Sequence, residues 1–184
     1  SQVLMEKDRL KAIFDIKKSV NASEIYKDLD KESSRPSNIL KYIDEVREQL
    51  LDPEDASVEA SEGGNLVHIA HAEIYSHYDE WLTQNGKIDF PRMIQWACKL
   101  LISDAANGSP IASKYKHILV DEYQDINMAQ KTMVDNLLAG GGNQWAVGDD
   151  DQAIYGWRGS SLKFILNFEQ SYPGTQKVNL VRNY

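Results

Sequence analysis

Residues 117–125 read HILVDEYQD, an apolar run followed directly by acidic residues, and this stretch constrains the fold more than any other. Short apolar runs alternate with helical segments here: the runs lie at 117–120, 144–147 and, more weakly, 177–181, and the segments near 127–139 and 161–170. Such alternation predicts βαβ units and a parallel sheet. Ligands of these sheets bind beyond the carboxyl ends of the strands. We therefore expect 117–120 to be a strand buried on both faces, with Asp121 and Glu122 at the functional edge.

The first part of the chain, residues 3–104, has the periodicity of helices separated by polar breaks. One helix is predicted to have Ser37 as its N-cap and to end before Pro53. Another runs from about Val67 to Gly86, and a third has Pro91 in its first turn. The residues of this third helix that are expected to face inward are Met93, Ile94, Ala97, Leu100 and Leu101.

The acidic segment 52–65, DPEDASVEASEGGN, contains paired glycines and no periodicity, so we interpret it as a flexible loop. Together these patterns predict an α/β protein in two parts. Residues 1–112 form a helical subdomain, and residues 113–184 form part of a parallel-sheet domain.

The net charge of −8 counts mildly against nucleic-acid binding, because nucleic-acid-binding proteins usually carry a basic surface. Its distribution weakens that argument, since residues 113–184 carry seven basic and eight acidic side chains. No segment approaches the roughly 18 uncharged apolar residues of a membrane span. Nothing resembles a signal peptide. We expect a cytoplasmic protein with no membrane partner.

Cysteine and histidine give little sign of a metal site. Cys98 is the single cysteine, which excludes a disulfide framework, and its helical surroundings favour a packed thiol over a nucleophile. His68 and His71 lie three residues apart and His77 follows, but no acid or cysteine completes a zinc site at the usual spacing. We interpret all three as exposed helix histidines.

Adjacent carboxylates at the end of a buried strand suit phosphate chemistry. A hard cation such as Mg²⁺ binds carboxylate oxygens together with substrate phosphates. A second carboxylate, close by but not on the metal, can orient or deprotonate an attacking water. Apolar residues followed by Asp-Glu form the Walker B arrangement of nucleotide hydrolases. The alternative is a strand end whose acids simply cap the next helix.

A second cluster, VGDDDQAIYGWRGS at 147–160, follows the next predicted strand. Gln152 can donate to a phosphate and accept from a water. Tyr155, Trp157 and Arg158 offer two aromatic rings and a guanidinium plane, the groups on which unpaired bases stack. The structural alternative is that Trp157 anchors this loop in the core.

These two clusters together resemble motifs II and III of superfamily 1 DNA helicases of the UvrD/Rep/PcrA type, and the final LVRNY resembles the opening of motif IV. The helical part resembles the helical insertion in the first RecA-like, P-loop NTPase domain of that family. GKIDFPRMI lies where the family places a characteristic Asp-Phe segment before a helix. Two departures are Ile126, where Thr is common, and Pro91-Arg92, where an acidic pair is usual.

The resemblance implies a role for each matching residue. Asp121 would bind Mg²⁺, Glu122 would polarise the attacking water, and Gln152 would sense the γ-phosphate of ATP. Two residues of motif II, Gln124 and Asp125, would tie that motif to neighbouring loops. The DNA-binding residues would be Tyr155 and Trp157, with Arg158 supporting their loop, and Tyr184 would stack on the adenine.

The phosphate-cradling sequence G-x-x-x-x-G-K-[ST] does not occur in these residues; the single Gly-Lys pair, Gly86-Lys87, precedes Ile88. We therefore expect a fragment of an ATP-dependent 3′-to-5′ DNA helicase, inactive without the remainder of its chain, whose partners are ATP, single-stranded DNA and duplex DNA. Three alternatives are the helicase part of a helicase–nuclease, a Mg²⁺-dependent phosphohydrolase that binds no nucleic acid, and a non-catalytic interaction module.

Overall fold

The computed structural model describes residues 2–20, 22–27, 29–149, 151 and 162–179. Within these residues, the first part of the chain forms six α-helices. The helices are α1 (Glu6–Ser19), α2 (Ala22–Ile25), α3 (Pro36–Glu48), α4 (Pro53–Gly63), α5 (Leu66–Gln84) and α6 (Phe90–Ala106). Helices α1, α3, α4 and α5 enclose one apolar core, which includes Ile13, Ile43 and Ile74. None of the described helices is long and apolar enough to cross a membrane.

Helix α3 begins earlier than its sequence predicts. Its N-cap is Arg35 and its first residue is Pro36, so the prediction of Ser37 as the N-cap is wrong. Proline suits the first turn because its fixed φ matches a helix and its missing N–H has no partner there in any case. Ile39, Leu40 and Ile43 are buried on one face of this helix.

The segment predicted to be a flexible loop, 52–65, is mostly helix α4, so that prediction is wrong. Pro53 opens the helix, and the acids of its first turn are favoured by the positive end of the helix dipole. Ala56 and Ala60, four residues apart, are buried and allow α4 to lie close against α5. Gly64 then ends the helix with a left-handed φ of 67°.

Two short strands interrupt the part of the chain that was read as helices only. Strand β1 (Gln2–Leu4) pairs in parallel with β2 (Lys87–Asp89), and Leu4 lies opposite Asp89. No local period predicts this pair, because each strand has three residues and its partner is distant along the chain.

Helix α6 buries polar side chains at positions other than those expected to face inward. Leu101 faces inward as predicted, but Met93 and Leu100 are exposed. Two of the buried polar side chains are hydrogen-bonded: Gln95 Nε2 donates to the carbonyl of Leu51 at 2.8 Å, and the Asp104 carboxylate accepts from two backbone N–H groups at 2.8 and 3.0 Å. The buried face of α6 therefore combines apolar packing with hydrogen-bonded polar groups.

The same buried face of this helix carries Cys98, whose thiol donates to the carbonyl of Ala129 at 2.9 Å. The packed thiol is confirmed. Burial raises the pKa of the Cys98 thiol, which disfavours the reactive thiolate.

The second part of the chain has the predicted alternation. Strands β3 (His117–Val120) and β4 (Asn143–Ala146) pair in parallel, and helix α7 (Met128–Leu138) connects them. Helices α8 (Leu162–Leu166) and α9 (Phe168–Ser171) follow. Together with the first sheet, this is a mixed α/β fold with small parallel sheets. The weak strand predicted at 177–181 is absent from residues 177–179, and 180–181 lie outside the described residues.

Strand β3 is not buried on both faces, and this prediction is wrong. Ile118 is buried, but Leu119 is 76% exposed. Its partner in register, Trp145 on β4, is 61% exposed. Helix α7 packs against β3, and within the described residues no element covers the face that carries Leu119 and Trp145.

Candidate functional site

The acidic pair lies at the carboxyl end of β3, as predicted. Asp121 and Glu122 follow the last residue of the strand directly, and both side chains are exposed. Backbone pairing continues past both strands: Val147 N donates to Val120 O, and Tyr123 N donates to Val147 O, each at 2.9 Å. The two acids therefore lie beside the loop that follows β4.

Glu122 has a backbone conformation that few residues with a side chain adopt. Its φ of 50° and ψ of 46° place it in the left-handed region. Such a conformation costs on the order of 1–3 kcal/mol and persists where its surroundings fix it. Here Glu122 N donates to Asp121 Oδ1, and Asp125 N donates to Glu122 O, both at 2.9 Å. The turn directs consecutive acidic side chains out of the sheet edge.

Gln124 connects this turn to the loop after β4. Its side chain is 2% exposed, its Nε2 donates to Glu122 Oε2 at 2.6 Å, and its Oε1 accepts from Asp149 N at 3.0 Å. The tie to a neighbouring loop expected of Gln124 is present. The tie expected of Asp125 is not among the described contacts, since its buried Oδ1 has no hydrogen-bond partner there.

The apolar side of the same turn is held by aromatic packing. Tyr123 is buried and meets Phe168 of α9 edge to face, with ring centroids 5.0 Å apart. Ile126 and Phe164 complete this cluster. Their packing fixes the backbone from which the acidic side chains project.

Asp121 has the chemistry of a partial Mg²⁺ ligand. Its Oδ1 is used by the turn, but its Oδ2 has no hydrogen-bond partner among the described residues. In the part of the chain that the structure describes, no group of three or more histidine, cysteine, aspartate or glutamate side chains could hold a metal. A single available carboxylate such as that of Asp121 fits Mg²⁺, which typically takes one or two carboxylates and completes its shell with waters and substrate phosphates.

Five predicted site residues lie outside the described residues: Gln152, Tyr155, Trp157, Arg158 and Tyr184. The site that the structure assembles therefore consists of Asp121, Glu122, Gln124 and the backbone N–H of Asp149.

A buried network of charges was not predicted from the sequence. Asp89 is 0% exposed and accepts from Arg9 Nε at 3.0 Å, Arg47 Nη1 at 2.8 Å, Tyr78 OH at 2.8 Å and the backbone N–H of Arg92 at 2.9 Å. Burial alone would raise the pKa of this carboxyl, but Arg47 and Arg9 outweigh it and the pKa is lowered. In the sequence, the Asp-Phe segment was the only indication that Asp89 is important, and it did not indicate Arg9 or Arg47 as its partners.

Pro91-Arg92 stands where an acidic pair is usual in the family, and Arg92 binds the same carboxylate as Arg47. Arg92 Nη2 donates to Asp79 Oδ2 at 2.9 Å, and Arg47 Nη2 donates to the other oxygen of the same carboxylate at 2.9 Å. Arg92 therefore joins the buried network around Asp89 and Asp79.

His71 is buried, so the prediction of exposed helix histidines is wrong for this residue. Its Nε2 lies 2.9 Å from the carbonyl of Ser33, and its ring contacts those of Tyr26 and Tyr42. Burial lowers the pKa of His71, which favours the neutral ring. It is a core residue of the helical part.

Comparison with known proteins identifies the family. A sequence model of the UvrD/REP helicase N-terminal domain matches residues 2–173. The chain belongs to the UvrD/REP helicase family.

Relatives in the UvrD/REP family include proteins named ATP-dependent DNA helicase PcrA. The protein of Staphylococcus epidermidis is 34% identical over 177 residues, which cover 96% of this chain and 23% of the relative. That of Leuconostoc citreum is 36% identical over 156 residues, which cover 85% of this chain and 20% of the relative. The chain thus spans about a quarter of the length of the relatives it matches.

Proposed function

We propose that this chain is the part of an ATP-dependent DNA helicase that carries the hydrolytic carboxylates. Residues 1–112 would be its helical insertion, and residues 113–184 would be part of its first RecA-like domain. The observation that supports this most is the position of Asp121 and Glu122 at the carboxyl edge of parallel strands in a UvrD/REP family member.

Within this proposal Asp121 binds Mg²⁺ through its available carboxylate oxygen, and Glu122 orients the water that attacks the γ-phosphate of ATP. The bound cation would supply positive charge beside the phosphates. Phosphoryl transfer depends on positioning and charge stabilisation, which suits a carboxylate whose backbone and one oxygen are both fixed.

The DNA-binding part of the proposal rests on the resemblance of residues 147–160 to motif III. Gln152 would contact the γ-phosphate, and Tyr155 and Trp157, with Arg158 beside them, would stack on bases of single-stranded DNA. Tyr184 would stack on the adenine. ATP hydrolysis would drive 3′-to-5′ translocation and the unwinding of duplex DNA.

The 184 residues contain no phosphate-loop sequence, and the relatives are about four times longer. The proposal therefore assigns ATPase and helicase activity to a longer protein that contains this chain. We expect the isolated chain to show no steady ATP hydrolysis. Mg²⁺-dependent turnover by the purified chain that Glu122→Gln abolishes would contradict this expectation.

The deciding experiment replaces Glu122 by Gln in the longer protein. Because glutamine cannot act as a base, the ATPase rate should fall about 10²–10⁴-fold, while ATP binding is retained. Glu169→Gln, on the exposed surface of α9, is the matched control and should keep the normal rate. A Glu122→Gln protein that hydrolyses ATP at near-normal speed would exclude this role.

A further inference from the structure

The buried amide of Gln124 has both of its ends occupied by partners from different parts of the site. Its Nε2 donates to the exposed carboxylate of Glu122 at 2.6 Å, and its Oε1 accepts from the backbone of Asp149 at 3.0 Å. We propose that Gln124 is a positioning residue that holds the Glu122 carboxylate in one orientation by anchoring it to the loop after β4. This inference rests on the hydrolytic role proposed for Glu122.

The need for positioning follows from the exposure of Glu122. A glutamate side chain in solvent samples several rotamers, and a hydrogen bond to a charged acceptor is among the stronger restraints available. The bond engages only Oε2, so within the described residues Oε1 has no hydrogen-bond partner and remains available to a water. The orienting group is itself fixed, because Gln124 is 2% exposed and its second end is bonded.

Gly148 makes this arrangement possible. A Cβ atom at this position would lie 2.7 Å from Gln124 Oε1, 2.8 Å from Ile165 Cδ1 and 3.2 Å from Tyr123 N. All three separations are closer than ordinary packing, and one of them is to backbone. Absence of a side chain at residue 148 therefore lets the loop approach closely enough for Asp149 N to reach the amide.

The consequence is that the loop after β4 controls Glu122 through one amide group. A shift of this loop away from the turn would break the Asp149–Gln124 bond and release the restraint on Glu122. Along the sequence, the loop after β4 continues into the segment that contains Gln152.

The test uses Gln124→Glu in the longer protein. Glutamate has the same size and can still accept from Asp149 N, but it cannot donate to Glu122 when ionised, and it places two carboxylates side by side. We expect kcat for ATP hydrolysis to fall about 10–100-fold, the size typical for loss of a group that orients a functional side chain. KM for ATP should change little, since the lost contact serves orientation and not substrate binding, while the thermal midpoint should fall because a carboxylate is placed at a buried position beside Glu122.

Two further variants keep the test decisive. Gln124→Met removes the donor and the acceptor at similar volume and should lower kcat in the same way, so a folding failure of one variant leaves the other. Gln130→Glu is the matched control, because Gln130 lies one turn into α7 and its side chain bonds only the Asn127 backbone. Glutamate also accepts from the Asn127 N–H, so this variant should keep both the thermal midpoint and kcat close to wild type.

The outcomes separate two failures. If either folded Gln124 variant keeps kcat within about twofold of wild type while Glu122→Gln abolishes turnover, the positioning role is wrong and the role of Glu122 stands. If Glu122→Gln itself turns over normally, the proposed function fails. A loss of thermal stability with unchanged kcat would make Gln124 a structural residue only.

Discussion

The two parts of this molecule use their acidic residues in opposite ways. In the helical part, Asp89 is fully buried and its carboxylate accepts from two arginines, a tyrosine and a backbone N–H. In the sheet part, Asp121 and Glu122 are exposed, and each has a carboxylate oxygen with no hydrogen-bond partner among the described residues. The hydrogen bonds to Asp89 leave its carboxylate buried and without access for a ligand. Asp121 and Glu122 each keep an exposed carboxylate oxygen that can bind a cation or a water.

The apolar residues of the two parts differ in the same sense. The helical core encloses Ile39, Ile43 and Leu82 completely. The sheet exposes Leu119 and Trp145 side by side on one face. The helical part buries both its apolar core and its charged network, whereas the sheet part leaves one face of the sheet and the acidic turn exposed.

The largest effect expected from this comparison is that of Asp89→Ala. Removal of the carboxylate leaves Arg9 and Arg47 buried without it, and breaking a buried ion pair in this way typically costs about 3–5 kcal/mol. Chemical denaturation of the 184-residue chain would measure the loss. Glu24→Gln, in the exposed pair with Lys27, is the control and should change the free energy of unfolding by less than about 1 kcal/mol. Equal losses for the two variants would show that the buried network does not stabilise the helical part.

The next effect in size compares one leucine from each part. Leu82→Ala should cost about 2–5 kcal/mol, because it removes buried apolar volume and leaves a cavity. Leu119→Ala should change stability by less than about 0.5 kcal/mol, because its side chain is 76% exposed. Thermal unfolding of both variants gives the measurement. A large loss for Leu119→Ala would mean that the open face of the sheet is covered in solution.

The smallest effect concerns Glu48 of α3, at the junction between the two parts. Burial, with Asp44 and Glu45 nearby, raises the pKa of this carboxyl to about 7, although a hydrogen bond with Asn127 lowers it. The folded chain therefore binds a proton more tightly than the unfolded chain does, and this group's contribution to stability falls as pH rises from about 4.5 to about 7.

Glu48→Gln should remove that contribution. Between pH 5 and 8 the thermal midpoint of the variant should rise relative to wild type by roughly 1–3 °C, a size that allows for the partial exposure of the group. Burial lowers the pKa of His71, so the contribution of His71 to stability rises with pH. Because this contribution is the same in wild type and variant, the difference between their thermal midpoints reports Glu48 alone. A constant difference across this range would contradict the raised pKa.

How much the sequence could predict depended on how local the deciding interaction was. Helix α5, strands β3 and β4, and the position of Asp121 and Glu122 follow from periods and motifs within a few residues, and these predictions are confirmed. Helix α4 was missed because acids and paired glycines suggested a loop, whereas two small buried alanines decide its packing.

Long-range interactions account for the other errors. The β1–β2 pair and the Asp89 network join residues up to 85 positions apart, and no local pattern encodes such partners. The exposure of Leu119 depends on what covers the sheet, which the residues of β3 do not specify. Gln124 was named as a tie between loops, but its second partner, Glu122, required the left-handed turn to be seen.

The pairing of β1 with β2 has a consequence for how such a chain can change over evolutionary time. Residues 5–86 leave from the end of one strand and return at the start of its neighbour, two points separated by about three residues of strand length, or roughly 10 Å. A segment whose two ends lie close together can change in length or be replaced without moving the strands that it connects. Asp89 limits that freedom, because any replacement must again supply donors to a carboxylate that lies at the junction. The segment 5–86 is therefore attached to the sheet at neighbouring points and has one fixed chemical requirement, donors for the Asp89 carboxylate.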